Sequence, residues 1–225
     1  MSLILEATAG PKDWRKHLAQ PTLHWKPGRS AMETALCWEE AGGGLPPAIA
    51  AVVQPDTRMI QAIVEYPVAL PGGGTDSKSD VFALLSDAQG LIACVVEAKR
   101  DEPFGPTLGE WRADGRNLSG KVARLDALRD LLGLDRVPDT IRYQLLHRTA
   151  SAILAARRYH TTRAMMVVQS FSPERRWFDD YGAFLALLGL DARDGAPVMA
   201  RFSGVDVTFA WVTSPLSGHD LREGA

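Results

Sequence analysis

Residues 91–99 read Leu-Ile-Ala-Cys-Val-Val-Glu-Ala-Lys, an apolar run that ends abruptly in a charge pair. A short, nearly continuous apolar segment of this kind suits a central strand covered on both faces. It is preceded by Ser86-Asp87-Ala88-Gln89-Gly90, which reads as a hairpin loop, and by a short apolar strand, Asp80 to Leu85. Further upstream, Met59 to Val68 is rich in Ile and Val and reads as another strand. Pro71-Gly72-Gly73-Gly74 separates it from the next as a flexible connection. Three consecutive strands therefore form the middle of the chain.

Helices flank this block. Pro11 to Ala19 reads as a short helix opened by proline. Ser30-Ala31-Met32-Glu33 has the form of a capping box, opening a helix to about Ala41 that Gly42-Gly43-Gly44 stops. Ala48 to Val53 is a second short helical segment. After an irregular stretch from Asp101 to Leu118, Ser119 is placed to cap a helix to Leu132, and a longer helix runs from Thr140 to about Tyr159. Ala164 to Gln169 is a fourth strand; Ser172-Pro173 predicts a helix to Leu188. Val198 to Phe202 and Val205 to Val212 meet at Ser203-Gly204 as a terminal hairpin. The order predicts an α/β (α+β) chain with one mixed sheet, a single domain over residues 1–213 with its core at about 30–170, and a flexible tail at 214–225.

The 225 residues carry 25 Lys and Arg against 27 Asp and Glu, a net charge of −2, which excludes a uniformly basic nucleic-acid-binding surface. Cys37 and Cys94 both sit in apolar surroundings and read as core residues rather than a disulfide or metal pair. With no signal peptide at Met1 to Leu5 and no run of about 18 apolar residues, a cytoplasmic, non-membrane protein is expected.

The chemistry centres on Asp80, Glu97 and Lys99. Side chains alternate along a strand, so Glu97 and Lys99 share a face while Ala98 points away, and the hairpin lets Asp80 lie beside them. Two carboxylates with a lysine suit a hard divalent cation and phosphoester chemistry. A plainer reading competes: Glu-X-Lys is a common triplet, and a charged strand end is frequently a solvated rim.

Ser79-Asp80, sixteen intervening residues, then Glu97-Ala98-Lys99 resembles the signature of the PD-(D/E)XK nuclease superfamily, with Ser79 where the name-giving proline would stand. The element order from about Ser30 to Ser170 is similar to that superfamily's restriction-endonuclease-like core of helix, three strands, helix and strand. The stretch Arg142 to Arg148 resembles an uncharacterised family of bacterial domains. The superfamily resemblance implies Asp80 and Glu97 as ligands of Mg²⁺ or Mn²⁺, Lys99 as the catalytic lysine, Gln144 as a further catalytic residue and Glu33 as an auxiliary acid, although the capping box already accounts for Glu33. It implies nucleic acid, most simply DNA, as substrate, and by analogy a homodimer.

The helix from Thr140 carries a separate signal. Gln144, His147, Arg148 and Ser151 fall on one side of it, and no acidic residue occurs between Thr140 and Pro173, against Arg142, Arg148, Arg157, Arg158 and Arg163. Such a segment suits phosphate contact, with Arg142 and Arg148 as candidates, because a guanidinium meets phosphate in a bidentate way. His147 is a candidate general base, or simply a hydrogen-bonding neighbour. His17 and His24 have no partner at metal-ligand spacing; Trp38, Trp111, Trp177 and Trp211 read as core or rim aromatics. Two other functional readings stand beside a nuclease: a non-catalytic interaction module that keeps the fold, and a hydrolase of smaller phosphate esters.

Overall fold

The computed structural model describes residues 7–18 and 20–217. A 3₁₀ turn at Pro11–His17 is followed by α1 (Pro21–His24), α2 (Ser30–Glu40), α3 (Pro47–Ala50), β1 (Arg58–Val68), β2 (Ser77–Asp87), β3 (Gly90–Lys99), α4 (Leu108–Ala113), α5 (Leu118–Leu132), α6 (Tyr143–Arg158), β4 (Arg163–Ser170), α7 (Phe178–Leu187), β5 (Val198–Phe202) and β6 (Val205–Thr213). The strands form one mixed sheet in the order β1-β2-β3-β4-β6-β5. β1, β2 and β3 make an antiparallel meander; α6 carries the chain back so that β4 lies parallel to β3, and β6 is parallel to β4. The apolar run of β3 is central and buried, as its composition predicts.

Alternation along β2 and β3 divides the core into two layers. Phe82, Leu84, Ala93 and Val95 face α6 and share a cluster with Leu145, Ile153, Phe184 and Trp211. Val81, Ala83, Cys94 and Val96 face the other way and pack with Trp14, Ala35 and Trp38 on the α2 side. Trp38 and Trp211 are core residues, while Trp111 and Trp177 are partly exposed. Both cysteines are free.

Helix starts differ from the sequence expectations, each for a local reason. Arg29, not Ser30, is the N-cap of α2: Ser30 Oγ donates to Glu102, 72 residues away, and the Glu33 carboxylate accepts from the amide of Gly28 (3.1 Å). The capping box is instead at Thr107 and Glu110, which open α4 inside the stretch read as irregular. Asn117 rather than Ser119 caps α5. α6 starts at Tyr143 because residues before it are held in extended pairing, Leu108 N donating to Ile141 O and Tyr143 N to Pro106 O. After Ser172-Pro173 the chain turns, with Arg175 and Trp177 at positive φ, and α7 begins only at Phe178.

Two segments read as loose are tied down. Arg124 of α5 donates to the carbonyls of Pro71, Gly73 and Thr75, fastening the Pro71–Gly74 connection. Ser214 N donates to Ser170 O (2.8 Å), and Ser217 donates twice to Glu33, so the start of the expected tail lies against the α2 side. Met1 to Leu5, Ala19 at the end of the first expected helix, and residues 218–225 of the expected tail lie outside the described residues.

Candidate active site at the fork of the sheet

The ladder between β2 and β3 ends at the pair Val81 and Val96. Beyond it β2 stays paired with β1 as far as Ser77 and Val68, and β3 stays paired with β4 as far as Lys99 and Ser170. The sheet therefore forks, with Ser77 to Asp80 on one prong and Glu97 to Lys99 on the other. At the fork the Asp80 carboxylate accepts a hydrogen bond from the amide of Ala98 (2.6 Å), a donor the ended ladder leaves free.

Glu97 is the centre of the site and is 2% exposed. One carboxylate oxygen accepts from Lys99 Nζ (2.5 Å) and from Gln144 Nε2 (2.8 Å); the other accepts from Arg148 Nε. The Arg148 guanidinium also donates from Nη1 to Ser77 Oγ (2.6 Å), so it spans both prongs. Ser77 Oγ lies 2.8 Å from His147 Nδ1. Arginine can only donate, so the serine accepts from Arg148 and passes its own proton toward His147; the imidazole proton then sits on Nε2. Lys99 also lies over the Phe104 ring, 5.4 Å from its centroid.

The charges of this cluster shift one another. Burial pushes Glu97 up, but the positive charges of Arg148 and Lys99 outweigh it and hold the carboxyl below its ordinary value. Burial, reinforced by the charge of Glu97, pushes Asp80 well up. His147 is driven well below its ordinary value by burial and by the neighbouring Arg148, so it is neutral at pH 7.

Asp80, Glu97, Lys99, Gln144, His147 and Arg148 thus meet around the fork. Glu33 does not join them: its carboxylate is taken by Gly28 and Ser217 on the α2 side. Arg142 is committed to Asp180 (2.8 Å) and the carbonyl of Gly105 (2.9 Å), with Trp177 beneath it. The rest of the basic segment is similarly engaged: Arg163 forms a two-pronged pair with Asp87 (2.6 Å on each arm), and Arg157 donates to Ser203 O. The acids missing from this segment are supplied from elsewhere in the chain.

Glu65 was not singled out by its sequence, yet it belongs here. It sits within β1 with φ of 50°, an unusual conformation for a strand residue other than glycine. Burial and the charge of Glu97 push its carboxyl up to about 7, against the opposing pull of Arg148 and Lys78. A lone acid between Val64 and Tyr66 in an apolar strand is the one sequence signal of it.

The donor set suits a hard cation. Asp80 and Glu97 present carboxylate oxygens on adjacent strands, and Gln144 Oε1 is buried without a hydrogen-bond donor. Among the described residues no three His, Cys, Asp or Glu side chains gather into a metal-holding cage. Mg²⁺ is commonly held by only one or two carboxylates, with water and substrate completing its shell.

Fold and site define an α+β domain with a forked mixed sheet and a buried acid–lysine–arginine cluster at the fork. The chain belongs to the family described as domain of unknown function DUF6946, whose model matches residues 7–216. No curated protein and no solved structure matches it. No helix among the described residues is long and apolar enough to cross a membrane.

Proposed function

We propose that this protein is a metal-dependent phosphodiester hydrolase of nucleic acid, built on a restriction-endonuclease-like core. The observation that carries the reading is the fork: it gathers Asp80 and Glu97 from neighbouring strands, Lys99 beside Glu97, and Gln144 from the crossover helix. The antiparallel meander followed by a helical crossover to a parallel fourth strand supports the same core.

Asp80 and Glu97 would hold Mg²⁺ or Mn²⁺, whose chemistry is to polarise a phosphate oxygen and acidify a bound water. Lys99 keeps a positive charge at Glu97 Oε1, from which its ammonium can turn to a reacting phosphate or orient a water. Gln144 Oε1 has an unfilled acceptor position suited to a water molecule. His147, neutral and bonded through Nδ1 to Ser77, fixes the seat of Arg148 rather than taking a proton at the reacting centre.

The test is calorimetric titration of Mn²⁺ into the native protein and Asp80→Ala, followed by assays on circular DNA, single-stranded DNA, RNA and a small phosphodiester. Binding that Asp80→Ala abolishes, with cleavage of a nucleic acid, is the expected result. Absence of binding, or equal binding by both proteins, overturns the reading. A second reading, a non-catalytic module that keeps the fold, is favoured by one observation: both oxygens of Glu97 are already paired with cationic side chains. It takes over if neither Mn²⁺ nor nucleic acid binds at low ionic strength.

A further inference from the structure

Arg148 stands in an unusual position for a candidate phosphate-binding residue. It is 6% exposed, its Nε donates to Glu97, and its Nη1 donates to Ser77 on the opposite prong. Its seat is fixed from behind, because Ser77 is itself bonded to His147 Nδ1. The other Glu97 oxygen is shared by Lys99 and Gln144, so the carboxylate has no oxygen free of a donor. Lys99 bonds Glu97 from one prong while its ammonium lies over Phe104, whereas Arg148 is held at both ends across the fork.

We propose that Arg148 is a resident counter-ion of Glu97 that competes with a divalent cation for the carboxylate, and so sets how tightly the fork binds that cation. This inference rests on reading Asp80 and Glu97 as cation ligands. A buried carboxylate needs positive partners, and at rest the guanidinium serves beside Lys99 as the one on the second oxygen. A divalent cation reaching Glu97 replaces it at the oxygen bonded to Nε. Turning away from Glu97, the guanidinium also gives up the two-ended seat in which it bonds Ser77, so Ser77 favours the resting state. Arg148 is therefore a positioning residue whose effect is opposite to that of a ligand: removing it strengthens cation binding. A merely structural role gives the reverse, because a loosened fork holds its two carboxylates less well.

The experiment is calorimetric titration of Mn²⁺ into the native chain, Arg148→Gln, Ser77→Ala and Asp80→Ala, with circular dichroism to establish folding. Arg148→Gln is expected to bind Mn²⁺ about tenfold more tightly than the native chain, the equivalent of losing one charged hydrogen bond as competitor. Ser77→Ala keeps the charge but removes the anchor, and is expected to tighten binding by about threefold. If Arg148→Gln does not fold, Ser77→Ala decides. Native binding that Asp80→Ala abolishes, together with equal or weaker binding by the folded Arg148→Gln or, in its absence, by Ser77→Ala, overturns this inference and leaves the hydrolase reading intact. No binding by any of the proteins overturns both.

Discussion

Replacing Glu65 by glutamine is expected to make the protein more stable at pH 8 and to leave it almost unchanged at pH 4. The carboxyl of Glu65 stands at about 7 in the folded chain against an ordinary 4.5, chiefly because of burial and the charge of Glu97. A raised carboxyl binds its proton more tightly when folded than when unfolded, so its contribution to stability falls as pH rises from about 4.5 to about 7 and is level above that. The full difference corresponds to about 3 kcal/mol at pH 8. Partial exposure reduces this, and about 1–3 kcal/mol is the expected gain. Glu65→Gly removes the same charge and also relieves the positive φ, worth about 1 kcal/mol at either pH. Urea unfolding of the three proteins at pH 4 and pH 8 measures both effects. A Glu65→Gln protein no more stable than the native chain at pH 8, or equally stabilised at both pH values, refutes the placement of this carboxyl among the fork charges.

Glu97→Ala strands Lys99 and Arg148 as buried cations and is expected to cost about 3–5 kcal/mol in urea unfolding; a loss below 1 kcal/mol contradicts the buried pairing. Asp87 is held at about 2 by its hydrogen bonds from Arg163, so its contribution is complete above about pH 4 and lost as pH falls toward 2. Asp87→Asn should therefore cost about 1 kcal/mol at pH 7 and nothing near pH 2, followed by thermal unfolding across pH. Gly72→Ala places a methyl 2.6 Å from the Arg124 amide at a φ of 86°, and a loss of about 2 kcal/mol with faster proteolysis of the Pro71–Asp76 connection is expected. Normal stability and protease resistance in that variant would show that Arg124 does not clamp the loop.

Strands were legible where burial on both faces dictates composition. The run from Leu91 to Val96 suited a central strand, and the observed sheet places β3 between β2 and β4. Helix starts were less legible because a cap depends on what else a small polar side chain can reach. Ser30 has the right neighbour in Glu33, yet it bonds Glu102 from a distant loop, and Thr107 supplies the box that the sequence pattern placed elsewhere. The partners of the arginine-rich segment were hidden for the same reason. Its sequence holds no local acid, and Asp87, Glu97 and Asp180 reach it from other elements.

Local sequence thus determined the order of strands and helices along the chain and the placing of Glu97 with Lys99 on one face, because alternation and burial act between near neighbours. The tertiary structure alone decided where the sheet forks, that Arg148 spans the fork, and that Glu65 feels its charges while Glu33 and Arg142 are engaged elsewhere. Those choices belong to charges brought together across long separations, where the energy of each group is set by partners that no nearby residue reveals.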